Sequence, residues 1–206
     1  MAQRSTRHNI AQTTAPYFVR VCRRCGRWYN PDKVFFICAA FAAQSGENGR
    51  LVLTEFYRCD GGDAAFLQLT RALDDDLNVR YGAQMEFYNA FNSTDGIATA
   101  IVALEDGVPA GCGCFKPFLD DAVEMKRIFV RKEFRGRGVS KEIMRRLEDW
   151  AYSAGFQRAV LETGTSQPEA IGLYESAGYR RIPNYEPYIG VGNSVCYEKR
   201  FGGRQG

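Results

Sequence analysis

A short run of arginines and glycines has the residue types and spacing that most directly suggest chemistry in this sequence. Its members are Arg135, Gly136, Arg137, Gly138, Val139 and Ser140. The run lies between a predicted strand and a predicted helix, and the first N–H groups of a helix have no partner within it. Glycines let an anion approach the backbone closely, and arginines supply charge and donors. The run therefore predicts a cradle for a diphosphate, although similar turns also close ordinary hairpins.

A second block downstream has the pattern of a strand followed by a short helix. The strand-like part is residues 161–164, and the helical part, 167–179, ends in Leu-Tyr-Glu, two residues, Gly and an aromatic residue. Together the two blocks resemble the GNAT superfamily of N-acetyltransferases, of the bacterial small-molecule type. Its signature is Gln or Arg, two residues, Gly, one residue, then Gly or Ala. Arg135 and Gly138 match that signature, and Ser140 stands at its last position.

The resemblance covers residues 51–201 and implies both a fold and a co-substrate. The acyl-CoA N-acyltransferase fold of the family is α/β (α+β), with a mixed, centrally splayed, mostly antiparallel sheet flanked by helices. Members use acetyl-CoA, and the strand before the cradle lends backbone groups to the pantetheine arm and the thioester carbonyl. By position, the resemblance implies cofactor contacts from the six cradle residues and from Ile128, Phe129, Val130 and Gln167.

Glu124 is the residue that we expect to act as the catalytic base. It lies in the strand before the cradle, where several members of the family keep a glutamate that takes a proton from the amine. A free alkyl amine has a pKa near ~10 and is almost fully protonated at neutral pH, so it needs such a proton acceptor. Glu162 on the following strand is the second candidate. The competing interpretation makes Glu124 an outward strand residue paired with Lys126 or Arg127.

Tyr174 is the residue that we expect to protonate the departing thiolate. A phenol with a pKa near ~10 can give its proton to a thiolate whose conjugate acid has a pKa near ~8.5. The alternative is a core tyrosine whose hydroxyl is bonded to the backbone. Arg80 is a candidate to hold an acceptor carboxylate. Aromatic residues could wall the acceptor pocket, although such residues are more often core; they are Tyr81, Phe87, Tyr88, Phe91, Tyr185 and Tyr188.

The elements that must position these residues follow from the alternation of patterns after Leu51. Apolar residues at helical spacing predict helices, and Asp106-Gly107 between two apolar runs predicts a hairpin turn. On the helix after the cradle, we expect charged residues such as Glu142 to face solvent. The predicted helices are 64–77, 139–154 and 168–177, and the predicted strands are 51–56, 99–105, 109–115, 123–130, 159–162, 179–182 and 195–199.

Length and charge distribution indicate one main domain with an extension. The chain has 206 residues, 45% of them hydrophobic, which suffices for one sizeable core. The first fifty residues carry eight Lys/Arg and two Asp/Glu, which leaves 19 basic and 22 acidic residues in the remainder. We predict a basic extension over 1–50, poorly ordered or peripheral, an acetyltransferase domain over 51–201 and a flexible tail over 202–206. This distribution argues against a nucleic-acid-binding protein.

The cysteines predict a reducing environment and no metal site. There are seven, an odd number without a regular framework, which favours reduced thiols in a cytoplasmic protein. Cys22 and Cys25 have the spacing of half a zinc site. The other ligands would have to come from Cys38, Cys59 or His8 at irregular intervals, so we expect no metal.

The sequence therefore predicts an acetyl-CoA-dependent N-acetyltransferase that acts on the primary amine of a small molecule, such as an amino acid or a related metabolite. Two main alternatives stay open: the acceptor is a protein or peptide, or the chain is a non-catalytic acyl-CoA-binding module. The apolar run at 34–43 is too short to span a bilayer, so we expect no membrane segment. We expect no nucleic-acid partner, and a homodimer is one option for assembly.

Overall fold

The structure is a computed structural model, and its first described elements are two short strands near the N-terminus. These are β1 (Arg20–Val21) and β2 (Trp28–Tyr29), which pair antiparallel. Apart from them, the predicted extension lies outside the described residues, and so do the Cys22–Cys25 pair and the end of the predicted tail. The structure describes residues 20–21, 28–29, 52–82, 85–89 and 91–202.

Seven further strands form the main sheet. They are β3 (Thr54–Cys59), β4 (Ala100–Glu105), β5 (Val108–Leu119), β6 (Ala122–Val130), β7 (Arg158–Gly164), β8 (Arg180–Ile182) and β9 (Ser194–Arg200). Their spatial order is β3-β4-β5-β6-β7-β9-β8. All neighbours are antiparallel except β6 and β7, which run parallel. The predicted mixed, mostly antiparallel fold class is confirmed.

β6 and β7 separate soon after they begin, which opens the centre of the sheet. Three residue pairs join them, and the last is Glu124 with Val160. Beyond this pair β6 continues to Val130 and β7 to Gly164 without further pairing between the two strands. The predicted central splay is therefore present, and it leaves a cleft between the two halves of the sheet.

Helices cover both faces of the sheet. Those described are α1 (Ala64–Tyr81), α2 (Met85–Asn89), α3 (Val139–Ser153) and α4 (Pro168–Ser176). α1 buries Phe66 and Leu69 on one face, together with Phe129 of β6. α3 and α4 share the core of the other face, to which they contribute Ile143 and Tyr174. The cleft therefore has α1 on one side and α3 with α4 on the other.

Local sequence signals account for the boundaries of several elements. The Asp63 side chain accepts hydrogen bonds from the N–H groups of Ala65 and Phe66, which caps the start of α1. Asp106 and Gly107 both have positive φ, 48° and 83°, as the predicted tight hairpin turn between β4 and β5 requires. α1 extends one turn beyond its predicted end at residue 77, and the short α2 was not predicted.

One expectation about α3 is wrong. Glu142 does not face solvent but is buried, with 6% of its surface exposed. Arg145 and Arg146 both donate to its carboxylate, at 2.6–2.8 Å, and Arg146 also lies over the ring of Phe56. These two arginines hold the pKa of Glu142 below its usual value against the opposing effect of burial. Because its charge is paired twice, the carboxylate can be buried in the packed side of the helix.

Two further observations concern the described part of the chain. No helix within it is both long enough and apolar enough to cross a membrane. It also holds no group of three or more His, Cys, Asp or Glu residues arranged to bind a metal ion.

Gly61 lets the loop after α2 close against the turn before α1. Its N–H donates to the carbonyl of Ile97 at 2.8 Å, and a Cβ at this position would overlap the backbone carbonyl of Thr94. Because backbone cannot turn aside as a flexible side chain can, we expect Gly61→Ala to lower the free energy of unfolding by about 2–3 kcal/mol. Urea unfolding followed by circular dichroism measures this change.

The matched control is Gly172→Ala in α4, where a Cβ would have no atom within 4 Å. Alanine is the better helix former, so this variant should gain about 0.5–1 kcal/mol. Equal unfolding midpoints for the two variants would contradict the close-packing role of Gly61.

Candidate active site

The predicted cradle is a turn between β6 and α3. Gly138 immediately precedes α3 with φ 78°, and Gly136 has φ 77°. Such positive values favour glycine. The Gly138 carbonyl accepts the first helical hydrogen bond, from Glu142 at 3.1 Å, and no side chain caps this end of the helix. The first N–H groups of α3 are thus presented at the turn, as an anion-binding site requires.

The two arginines of the turn have different surroundings. Arg135 donates from Nε to the carbonyl of Val130 at 2.9 Å. Arg137 instead forms an ion pair with the buried carboxylate of Glu105, on the far strand of the hairpin. Its positive charge is therefore already paired, whereas the guanidinium of Arg135 lies over the ring of Phe129 and near the carboxylate of Glu169.

A cavity of about 700 Å³, partly open to solvent, begins beside this turn; we call it the cradle cavity. Six of the predicted cofactor-binding residues line it: Ile128, Phe129, Val130, Arg135, Ser140 and Gln167. Gly136, Arg137 and Gly138 form the turn next to it, and Val139 is packed in the core. Six of the ten residues thus line one cavity and three form the adjoining turn, and their contacts with a cofactor stay a prediction.

A second cavity of about 580 Å³ adjoins the first; we call it the Glu162 cavity after the carboxylate in its wall. The two cavities share four lining residues: Leu73, Ile128, Gln167 and Tyr174. Its other walls come from the end of α1, from α2 and from β7. The two spaces therefore meet where β6 and β7 have separated.

A bulge in β6 lies at this meeting point. Cys112 of β5 pairs with Phe129 and Cys114 with Lys126, so β6 has one more residue than its partner over this stretch. Arg127 lies in the bulge with φ 59°. A bulge changes the direction of the residues around it. Ile128, which follows it directly, lines both cavities.

Glu162 is the acidic residue in the wall of the second cavity. Burial, with a smaller contribution from the nearby charge of Glu124, raises the pKa of its carboxyl group to about 7. A hydrogen bond from Ser194 and the charge of Lys126 oppose this rise. Its Oε1 is buried without a hydrogen-bond partner among the described residues. The carboxyl group is therefore poised to gain or lose a proton near neutral pH.

Glu124 has a different environment. Its carboxylate accepts from Nζ of Lys126 at 3.3 Å and from the hydroxyl of Tyr185 at 3.1 Å. Lys126 also donates to Tyr188 at 3.3 Å. Glu124 does not belong to the lining of either cavity described above. The contact with Lys126 is the one that the competing interpretation expected, and the catalytic role of Glu124 stays a prediction.

Tyr174 lies at the junction of the two cavities. It is buried, with 7% of its surface exposed, and its ring contacts those of Tyr179 and Tyr197. Burial and the charge of Glu162 raise the pKa of its phenol above the ordinary value. The hydroxyl therefore stays protonated at neutral pH, and the raised pKa makes it a weaker acid than an ordinary phenol.

The predicted aromatic wall is divided between two places. Tyr81 and Tyr88 line the Glu162 cavity with ring centroids 6.1 Å apart, and Gln167 donates to Tyr81 at 3.4 Å. Tyr185 and Tyr188 lie instead with Glu124 and Lys126, where Phe91 contacts Tyr188. The side chain of Phe87 lies outside the described residues.

Arg80 is not placed to hold an acceptor carboxylate. Its guanidinium contacts Glu169 at 2.5 Å and Asp76 at 3.1 Å, and it donates to the carbonyl of Ser166 at 3.2 Å. These contacts join the end of α1 to the start of α4. The side chain therefore braces the two helices beside the cavities.

Several wall residues were not predicted, namely Met85, Asn92, Thr163 and the bulge residue Arg127. Met85 and Asn92 belong to or follow α2, whose five residues are too few to give a periodic signal. Thr163 is the neighbour of Glu162 on β7, and its place in the same predicted strand segment is the signal that could have indicated it.

The family model described as "Acetyltransferase (GNAT) family" matches residues 66–179, more than half of the chain. The chain belongs to this family. The resemblance drawn from the cradle and the second block is thereby confirmed, and with it the classification as an acyltransferase.

Curated relatives of this GNAT chain match it over part of their length. An IAA acetyltransferase from Azospirillum brasilense is 34% identical over 89 residues, which are 43% of this chain and 58% of that protein. An N-acetylaspartate synthetase from Danio rerio is 38% identical over 69 residues, 34% of this chain and 24% of that protein. The chain thus spans between a quarter and three fifths of the length of these two relatives.

Solved structures share the GNAT fold over most of the described domain. A Klebsiella pneumoniae structure described as an acyl-CoA N-acyltransferase has a TM-score of 0.62 and 26% identity, and the match covers 72% of this chain and 98% of that one. An Elizabethkingia anophelis GNAT acetyltransferase solved with acetyl-CoA bound has a TM-score of 0.52 and 16% identity. That match covers 72% of this chain and 98% of the other. The second likeness shows the fold alone.

Proposed function

We propose that this GNAT chain transfers an acetyl group from acetyl-CoA to the primary amine of a small molecule. The observation that carries the proposal is the meeting of two cavities at Tyr174, one beside an anion cradle and the other holding Glu162. Acetyl transfer to an amine needs both: a site that binds the acyl carrier and a proton acceptor for the amine.

The cradle cavity suits coenzyme A. The free N–H groups at the start of α3, with Arg135 and Ser140, would hold the diphosphate. The pantetheine arm would follow Ile128, Phe129 and Val130, on the edge of β6 that β7 leaves unpaired. Acetyl-CoA supplies the activated acetyl thioester. The GNAT fold shared with a structure that contains acetyl-CoA supports this assignment.

The Glu162 cavity suits the amine. A carboxyl group with a pKa of about 7 matches the pH at which it must take a proton from the acceptor better than an ordinary glutamate would. Glu162 is therefore the base that the contacts favour. Glu124 is the alternative base, although its carboxylate is already paired with Lys126. Both assignments are open to the same mutational test.

Tyr174 is proposed to protonate the thiolate that leaves. Its place at the junction of the cavities supports this role. We expect Tyr174→Phe to lower kcat by about 100-fold, a usual effect for a general acid, and to leave the Kd of acetyl-CoA nearly unchanged. Steady-state kinetics and calorimetry measure the two quantities.

Tyr179→Phe is the matched control, because Tyr179 is equally buried, contacts the Tyr174 ring and lines neither cavity. It should keep kcat within a few-fold of the original. An unchanged kcat in Tyr174→Phe would remove the acid role from this residue.

A thiol-release assay tests the function as a whole. Acetyl-CoA is mixed with the protein and a panel of small primary amines, and free coenzyme A is followed with a thiol reagent. Release that depends on a small amine supports the proposal. Release only with peptides would favour the protein-acceptor alternative. Binding of acetyl-CoA without release for any amine would favour a non-catalytic module.

A further inference from the structure

One positively charged side chain belongs to the wall of the Glu162 cavity, and its charge is already neutralised. Arg127 donates from its two terminal nitrogens to the two carboxylate oxygens of Asp74 on α1, at 2.7 and 2.8 Å. The Arg127 side chain is 5% exposed, whereas that of Asp74 is 35% exposed. A bidentate pair of this kind uses one N–H from each terminal nitrogen of the guanidinium. The charge of Arg127 is therefore balanced by that of Asp74, and its Nε, which has no hydrogen-bond partner among the described residues, is buried away from solvent.

The other cations near the cavity are also engaged. Lys126 is bonded to Glu124 and Tyr188, and Arg80 is bonded to Asp76 and Glu169. None of these lysine or arginine side chains, in the part of the chain that the structure describes, is held without an acidic partner. Among the described residues, the surroundings of the cavity thus offer a proton acceptor but no spare counter-charge for an anion.

The rest of the wall is apolar, aromatic or neutral. Leu73, Leu77 and Met85 supply apolar surface, and the paired rings of Tyr81 and Tyr88 supply an aromatic one. A carboxylate that is removed from water without a counter-charge is strongly disfavoured, and here it would also lie near the carboxyl group of Glu162. An apolar or aromatic group meets no such penalty.

We infer that the acceptor is a primary amine with an apolar or aromatic body and no carboxylate, such as the amine that an α-amino acid leaves on losing its carboxyl group. This inference rests on the proposed function. In the reaction the protonated amine gives one proton to the base, and the neutral amine then forms a C–N bond to the acetyl carbonyl carbon and loses a second proton as the C–S bond breaks. The thiolate leaves with the electron pair and takes a proton, so the products are an amide and the free thiol.

Asp74 has a specificity role in this arrangement, because it keeps the guanidinium of Arg127 from the acceptor. Asp74→Asn removes the carboxylate and frees a positive charge in the cavity wall. The variant should then accept a carboxylate-bearing acceptor that the original rejects.

The experiment compares acceptors that differ only in the carboxylate, namely phenethylamine with phenylalanine and tyramine with tyrosine. In the original protein we expect kcat/KM for the amine to exceed that for the amino acid by at least 100-fold. In Asp74→Asn this ratio should fall at least 10-fold, through a rise in kcat/KM for the amino acid. Asp74→Glu, which keeps the charge, should keep the original preference.

Asp75→Asn is the matched control, because it removes the same charge from an exposed neighbour on α1 that does not line the cavity. Its preference should be unchanged. Equal use of amine and amino acid by the original protein would overturn the inference while leaving acetyl transfer intact. An unchanged ratio in Asp74→Asn, with its thermal unfolding midpoint preserved, would overturn the role of Asp74. No thiol release with any amine would instead overturn the proposed function itself.

Discussion

Glu162→Gln is expected to lower kcat by about 100-fold or more, because the variant cannot take a proton from the acceptor. The carboxyl group of Glu162 lies in the wall of the cavity proposed for the amine, and burial raises its pKa to about 7. Glutamine has nearly the same shape and keeps a hydrogen-bonding end. The loss should therefore appear in kcat and kcat/KM, whereas the Kd of acetyl-CoA should change little.

The pH dependence of the reaction gives the sharper test. In the original protein, kcat/KM should rise with pH through a limb centred near 7, because only the deprotonated carboxylate can accept a proton. That limb should be missing in Glu162→Gln. Glu124→Gln should keep it, with the midpoint moved to lower pH, because the charge of Glu124 raises the pKa of Glu162. Loss of the limb in Glu124→Gln alone would make Glu124 the base.

A stability measurement checks the same pKa without any substrate. The pKa of Glu162 rises from an ordinary 4.5 to about 7 on folding, so between these values the folded state binds more protons than the unfolded one. The contribution of Glu162 to the free energy of unfolding should therefore be greatest below pH 4.5. It should be lost as the pH rises through 7. The difference is about 3 kcal/mol, and Glu162→Gln should lack it.

Gly138→Asp is expected to abolish measurable binding of acetyl-CoA, with at least a 100-fold rise in Kd. The residue immediately precedes α3 at φ 78°, where the first N–H groups of the helix are presented. An aspartate there would accept hydrogen bonds from those groups itself and would repel the diphosphate. Positive φ favours glycine, but aspartate tolerates left-handed backbone better than most residues, so the fold should be kept. Isothermal titration calorimetry with acetyl-CoA measures the effect.

Gly138→Asn is the matched control. Asparagine and aspartate have the same shape, and both tolerate left-handed backbone better than most residues. The two variants therefore differ mainly in charge. We expect the asparagine variant to bind acetyl-CoA within about 10-fold of the original. Equal affinities for the two variants would refute the cradle as the site of the diphosphate.

The parts of the site that sequence analysis predicted are those that local patterns determine. The cradle depends on neighbouring residues between a strand and a helix. The hairpin turn depends on two adjacent residues, Asp106 and Gly107. The environment of Glu162 could not be predicted, since Lys126 and Ser194 reach it from distant parts of the chain. Likewise, the ion pair between Arg127 and Asp74 on α1 could not be predicted, because the two residues are 53 positions apart in the sequence.

Burial of charge was the second kind of feature that the sequence did not reveal. The hydrophobic pattern of α3 placed Glu142 on the solvent side. Its two arginine partners lie three and four residues further along the same helix, and they allow the carboxylate to be buried. A pattern based on hydrophobicity alone treats every charge as exposed, so it misses a charge that is paired within its own helix.

The short seam between β6 and β7 has a consequence for how turnover can be adjusted. The cradle follows β6 and Glu162 belongs to β7, so the two proposed binding functions belong to two halves of the sheet that pair at three residue pairs and share one hydrophobic core. We expect substitutions in that shared core, far from either ligand, to shift one half of the sheet relative to the other. Such changes would alter the alignment of the amine with the thioester while leaving the affinity for each nearly constant.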